Sequence, residues 1–231
     1  MRVAVLYSGG KDSNLALWRL RKAGHEIVAL ISAISDRPDS WMFHTPNIAY
    51  CRVQAECLGI PWIPVRVSGA KEAEVDELSD AIAQLRRSLD LDALGTGAIA
   101  SQYQRTRVGH ICSVLGISEL APLWGDGEEE LLREMIGLGF EIYFSSVSAE
   151  GFDKDWLGSR LDADRISLLH RLREKYQINI SGEGGEYETF VADMPMFGSR
   201  IVVLESKTSW HHNSGSWVIG KLMVLSKNPR L

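Results

Sequence analysis

The chain predicts an α/β fold, a parallel sheet with helices on both faces, followed by a smaller α+β C-terminal domain. Three observations carry that expectation. Apolar strand-like runs alternate with amphipathic stretches through the first half, and a glycine-rich turn, Tyr7-Ser8-Gly9-Gly10-Lys11-Asp12-Ser13, joins the first run to the first helical stretch. The tail beyond Ile178 is glycine-rich and then strand-like. The 231 residues, 45% hydrophobic and 24% charged, suffice for one large domain, or a main domain with an appendage, and for a sizeable core.

Taken in order, residues 3–6 read as the first strand and 14–23 as the first helix, stopped at Gly24. Residues 25–32 read as the second strand, which completes a βαβ unit. Residues 47–58 read as a helix and 62–67 as a strand. Val75, Leu78, Ile82, Leu85 and Leu89 recur at three- and four-residue steps, so 72–89 reads as an amphipathic helix. Residues 93–97 form a short strand ending in glycines, and Ser101 caps a helix running to about Leu115. The texture changes around Trp124-Gly125-Asp126-Gly127, which divides the chain into domains of residues 1–124 and 125–231. No linker separates them, so close packing with a cleft is expected. Asp126 and Glu129 have the spacing of a capping box for a helix to about Leu138. Residues 140–147 read as a strand, 163–176 as a helix, and 200–205 with 217–225 as partners in a small antiparallel sheet.

Composition narrows the function classes. A formal net charge of −5 argues against a large phosphate-backbone footprint, so nucleic acid is not the expected partner. No apolar run is long enough to cross a bilayer and Met1 runs directly into a strand, so a cytoplasmic protein without a membrane partner is expected. Cys51, Cys57 and Cys112 lack Cys-x-x-Cys spacing and read as buried reduced thiols. The six histidines are scattered apart from His211-His212, with no zinc constellation.

The turn at 8–13 is a phosphate cradle. Its glycines let backbone N–H groups turn inward, the following helix points its positive end at the turn, and Lys11 adds a full charge. It lacks the Walker spacing and instead matches Ser-Gly-Gly-x-Asp-Ser. In an open parallel sheet, ligands bind at the carboxyl ends of the strands near the reversal of strand order. Two further loops satisfy that rule. In the first, Met42-Phe43-His44-Thr45-Pro46-Asn47, Asn47 or Thr45 reads equally as a helix cap or a ligand contact; the second, Gly95-Thr96-Gly97-Ala98, suits an adenine or ribose edge or a plain tight turn. Arg105 and Arg107 cannot share a helix face, and Arg105 is assigned to phosphate or carboxylate contact. In Ser181-Gly182-Glu183-Gly184-Gly185-Glu186-Tyr187-Glu188-Thr189-Phe190, three carboxylates within six residues call for a cation among them: ammonium, Mg²⁺ or a methylated ammonium, with Tyr187, Trp124 or Trp156 adding cation–π attraction.

The turn resembles the PP-loop of ATP pyrophosphatases, a Rossmann-like nucleotide-binding fold whose loop grips the β- and γ-phosphates and leads to AMP and pyrophosphate. Taken with 42–47, Tyr-Gln-Arg-Thr-Arg-Val at 103–108, Pro-Leu-Trp at 122–124, Asp-Trp-Leu-Gly at 155–158 and Gly-Glu-Gly-Gly-Glu-Tyr-Glu-Thr-Phe-Val at 182–191, the chain is similar to the diphthine-ammonia ligase family. The resemblance implies ATP-dependent amidation of diphthine on translation elongation factor 2, with ATP, Mg²⁺ and ammonium. Ser8, Gly9, Gly10, Lys11, Asp12 and Ser13 would hold ATP, Asp12 its metal, with Gly97 and Arg105 beside the nucleotide. His44, Asn47, Glu183, Tyr187 and Glu188 would meet the acceptor, and Glu186 would act as base toward ammonium. The expected course is acyl-adenylate formation, with Lys11, Mg²⁺ and loop N–H groups stabilising the departing pyrophosphate. Gln102, Gly109 and Ser159 depart from the pattern. No N-terminal cysteine nucleophile is present, so free ammonia is the expected nitrogen source. A tRNA-thiolating PP-loop enzyme and a non-catalytic ATP-binding regulatory module are the rival readings, and self-association is left open.

Overall fold

The structure, a computed structural model, describes residues 1–35, 47–70 and 73–227. The chain divides into two compact units: Met1–Ser8, Asp12–Glu56 and Ile60–Trp124 form the first, and Gly9–Lys11, Cys57–Gly59 and Gly125–Leu231 the second.

The first unit is built on a five-stranded parallel sheet. Its strands are β1 (Arg2–Leu6), β2 (Glu26–Ser35), β3 (Trp62–Val67), β4 (Ala93–Gly95) and β5 (Ser118–Leu120), in the order β3-β2-β1-β4-β5. The helices are α1 (Lys11–Lys22), α2 (Cys51–Leu58), α3 (Ala73–Leu89) and α4 (Gln102–Leu115). Because side chains alternate across a strand, each strand serves two faces. On one, Ala4, Ala29, Ile31 and Leu94 pack with Val75, Leu78 and Ile82 of α3 and Val108, Ile111 and Leu115 of α4. The other is met by α1, whose Leu20 lies so close to Gly95 that a Cβ there would sit 2.6 Å from its Cδ1. The expected α/β class, with helices on both faces, is what forms.

The second unit holds α5 (Glu128–Gly137), β6 (Glu141–Val147), a 3-10 turn (Lys154–Trp156), α6 (Ala163–Tyr176), β7 (Tyr187–Asp193), β8 (Ser199–His211) and β9 (Ser214–Ser226). Its antiparallel sheet runs β7-β6-β9-β8. Phe144 anchors the core, with ring centroids 5.0 Å from both Trp156 and Tyr187. At the base of β8, Glu141 Oε1 accepts from Tyr143 Oη at 2.7 Å and Arg200 Nη2 at 2.9 Å, and Tyr143 stacks on Trp217. Burial, then the Glu141 carboxylate, pushes the Tyr143 hydroxyl up to about 12.

Several boundaries differ from expectation. Helix α1 starts at Lys11, not residue 14, so the end of the glycine-rich turn is already the first helical turn. Asp126 does not cap α5: Gly127 does, without a side-chain bond, and the Glu130 carboxyl folds over Gly127 where a Cβ would stand. No capping box forms, because a glycine cap has no side chain to supply its half. Strand β5 was not anticipated, β4 stops at Gly95, and the region after Asn47 opens as a 3-10 turn (Ile48–Tyr50) before α2. Strands β8 and β9 are 13 residues each, well beyond the two short segments expected.

Candidate active site

Strand order reverses between β1 and β4, and the turn after β1 and the loop after β4 leave their carboxyl ends there. The start of the turn is pinned by buried polar bonds. The Tyr7 carbonyl accepts from Ser32 Oγ at 2.6 Å, Ser32 Oγ accepts from Trp62 Nε1 at 2.8 Å, and Tyr7 Oη donates to Asn14 Oδ1 at 2.9 Å. Ser8 Oγ donates to Ser13 Oγ at 3.4 Å. Gly97 explains how the β4 loop approaches: a Cβ there would lie 2.8 Å from both the Asp12 carbonyl carbon and the Ser13 nitrogen. Glycine at 97 is therefore dictated by backbone-to-backbone packing on the first turn of α1, where Asp12 and Ser13 sit.

Arg105 and Arg107 behave differently, as their spacing demands. Arg107 folds back over the Tyr103 ring and donates to the Tyr103 carbonyl, whereas Arg105 lies exposed, 4.2 Å from the Trp124 ring centroid. Asn47 is left-handed, φ 68°, and caps the 3-10 turn through its backbone, with no side-chain capping bond. His44 lies outside the described residues.

In the second unit, Gly9–Lys11 lie along β7. The Gly9 carbonyl accepts from the Val191 N–H at 3.2 Å, and the Lys11 N–H donates to Thr189 Oγ1 at 3.0 Å. Gly9 has φ +77°, which a residue with a Cβ adopts only under strain. The Lys11 side chain is 3% exposed; its Nζ donates to the Ser181 carbonyl and stands 5.0 Å from the Tyr187 ring centroid. Tyr187 Oη donates to the Ile180 carbonyl at 2.6 Å, and Glu128 Oε2 accepts from the N–H groups of Ile180 and Ser181. One face of this acidic segment is thereby tied down by residues outside it.

Glu186 is held asymmetrically. Its Oε1 accepts from both the backbone N–H and the side-chain Nδ2 of Asn179, each at 2.8 Å, while its buried Oε2 accepts no hydrogen bond among the described residues. A buried carboxylate oxygen without a donor is costly, so this one suits an N–H donor such as ammonium. Glu183 and Glu188 are half-buried nearby in sequence. The three rings expected to receive a substrate cation each carry one of the protein's own: Lys11 on Tyr187, Arg105 on Trp124 and Arg165 on Trp156.

The sequence profile of the Diphthamide synthase N-terminal domain matches residues 1–119, and that of the Diphthamide synthase C-terminal domain matches residues 127–225. The chain belongs to the diphthamide synthase family. It is 36% identical to the diphthine--ammonia ligase of Danio rerio, covering 96% of this chain and 94% of that one. To the Homo sapiens enzyme of the same name it is also 36% identical, over 91% and 86%. The Schizosaccharomyces pombe protein of that name is 37% identical over 93% of this chain but 38% of its own length.

The departures of this chain from the expected pattern have local accounts. A Cβ at Gly109 would stand 3.3 Å from Glu119 Oε2, so an acid there would confront a carboxyl that burial already pushes upward, against the pull of Arg105. Ser159 Oγ donates to the Trp156 carbonyl at 2.7 Å and closes the turn beside Gly158. Gln102 is the exposed first residue of α4. All three cysteines are buried and none is in a disulfide; burial pushes the Cys51 thiol to about 12 and the Cys112 thiol to about 11, which makes both poor nucleophiles. Among the described residues no group of three His, Cys, Asp or Glu could hold a metal, and no helix is long and apolar enough to cross a membrane. The Asp12 carboxylate and the Ser8 and Ser13 hydroxyls are hard oxygen donors, a set that fits Mg²⁺ arriving on phosphate oxygens and not a dedicated metal cage. Sequence reasoning passed over Glu128 and Asn179 and gave Ser181 and Thr189 no role of their own; the contacts of Glu128, Ser181 and Thr189 join segments far apart in the chain, and that of Asn179 depends on how the turn before Glu186 folds back.

Proposed function

We propose that this protein is an ATP-dependent diphthine–ammonia ligase that converts the diphthine carboxylate to an amide and releases AMP and pyrophosphate. The observation that carries the reading is the Ser-Gly-Gly-Lys-Asp-Ser turn at the carboxyl end of β1, beside the reversal of strand order, in a member of the diphthamide synthase family. The protein that bears diphthine is translation elongation factor 2, and the reaction takes place in the cytoplasm.

Residues 1–124 serve as the ATP-binding domain and 125–231 as the acceptor domain. Ser8, Gly9, Gly10 and Ser13 bind phosphate oxygens, Lys11 neutralises the departing pyrophosphate, and Gly97 and Arg105 flank the nucleotide. Asp12 holds Mg²⁺, which when bound draws charge from the phosphates. The acceptor carboxylate attacks the α-phosphorus, the bond to pyrophosphate breaks, and ammonia then attacks the activated carbonyl as AMP leaves. Glu186 binds ammonium through its open Oε2 and takes the proton that makes it a nucleophile. His44, Asn47, Glu183, Tyr187 and Glu188 are assigned to the acceptor side.

The division of labour is testable in a single turnover. Glu186→Gln should form acyl-adenylate at the wild-type rate and release amide about 100-fold more slowly, the usual worth of a positioned base. Equal slowing of both steps would contradict the assignment of Glu186.

A further inference from the structure

Among the described residues, strand β7 lies at the edge of its sheet, paired with β6. Gly9–Lys11 lie along its other side, through the Val191 N–H on the Gly9 carbonyl and the Lys11 N–H on Thr189 Oγ1. Thr189 is 4% exposed, so its hydroxyl is shielded from water where it meets the backbone N–H of Lys11, the first residue of α1. The Lys11 ammonium is seated in the same unit on the Ser181 carbonyl and the Tyr187 ring. That carbonyl belongs to backbone held from its other side by Glu128 Oε2.

We propose that Thr189 is a positioning residue for the nucleotide loop: its hydroxyl orients the Lys11 backbone so that the phosphate-binding N–H groups are set before ATP arrives. This rests on the proposed use of residues 8–13 for ATP. The strand carrying Tyr187 and Glu188 thereby takes part in ATP binding as well as in acceptor contact. Thr189 acts through its bond to the Lys11 N–H.

The test compares Thr189→Val with Thr189→Ser. Valine preserves shape and strand preference but removes the hydroxyl that accepts from the Lys11 N–H; serine restores it. A lost acceptor for a buried N–H weakens binding by about tenfold. Thr189→Val is expected to weaken a non-hydrolysable ATP analogue by about that factor in calorimetry, and to raise the KM for ATP equally. The KM for ammonium and for the diphthine-bearing protein should stay at the wild-type value, and Thr189→Ser should bind the analogue as the wild type does. Urea unfolding of each variant checks that the bound fraction is folded. Unchanged analogue affinity in folded Thr189→Val, or a loss that serine does not repair, would overturn the proposal. The calorimetric arm needs no turnover, so it reads Thr189 even if wild-type protein formed no AMP with diphthine, a result that would count against the ligase reading alone.

Discussion

At Gly97 a single methyl group meets backbone in two places, the Asp12 carbonyl carbon and the Ser13 nitrogen, both 2.8 Å from where it would stand. Neither atom can move without displacing the first turn of α1. Gly97→Ala should therefore lower unfolding stability by about 1–3 kcal/mol, the range for overpacking a tight contact. It should also weaken the binding of an ATP analogue, because the same turn carries Asp12 and Ser13. Urea denaturation and calorimetry check both; wild-type values for both would mean that the β4 loop relaxes freely. A close approach at Gly97 was legible from the sequence, but what approaches it was not, since the contact joins two loops far apart in the chain. The same holds for Lys11, whose charge was legible and whose seat on Ser181 and Tyr187 was not. Glu186 was legible as a carboxylate in a costly cluster, whereas the Asn179 clamp on one of its oxygens arises only when the turn between the two residues folds.

Periodicity located the elements that bury one face well. Strand β3 and helix α6 begin and end where the sequence places them, because Trp62–Val67 is bounded by Pro61 and Ser68 and because Asp162 caps α6 through its side chain. Elements defined by partners were less legible. Strand β5 has three residues and exists through its ladder to β4, and the outer parts of β8 and β9 are exposed strands held by each other. Their base is held by Glu141, which accepts from Tyr143 and Arg200. Here a pH prediction follows. The folded Tyr143 keeps its proton to about 12, while the unfolded chain releases it near its ordinary 10.0. The associated stability is thus fully present below pH 10 and is lost as pH rises toward 12. Cys51, raised from 9.0 to about 12, adds a loss of the same sign beginning near pH 9. Urea midpoints should fall across this window, and Tyr143→Phe should remove the tyrosine's share. A flat alkaline profile, or one that Tyr143→Phe leaves unaltered, would mean that Tyr143 ionises alike in both states.

For the molecule as a whole, a glycine-rich turn after the first strand of a parallel sheet and an acidic segment leading into an edge strand belong to one chain of the diphthamide synthase family. The alternation of strands and helices made the first unit readable at the level of class, since parallel strands must be joined by crossover helices. The membership of Gly9–Lys11 in the second unit was not readable, because it is set by bonds to Thr189, Val191 and Ser181 and not by local pattern. The central claim is that ATP is cleaved between its α- and β-phosphates only when a diphthine carboxylate is there to be activated. The most direct measurement is AMP release from ATP with Mg²⁺ and ammonium, with and without diphthine-bearing elongation factor 2, alongside the mass of that protein. The account predicts AMP formation that requires the factor, with a loss of mass equal to the difference between a hydroxyl and an amino group. AMP formed at the same rate without the factor, or formed with it while its mass stays constant, would contradict the account.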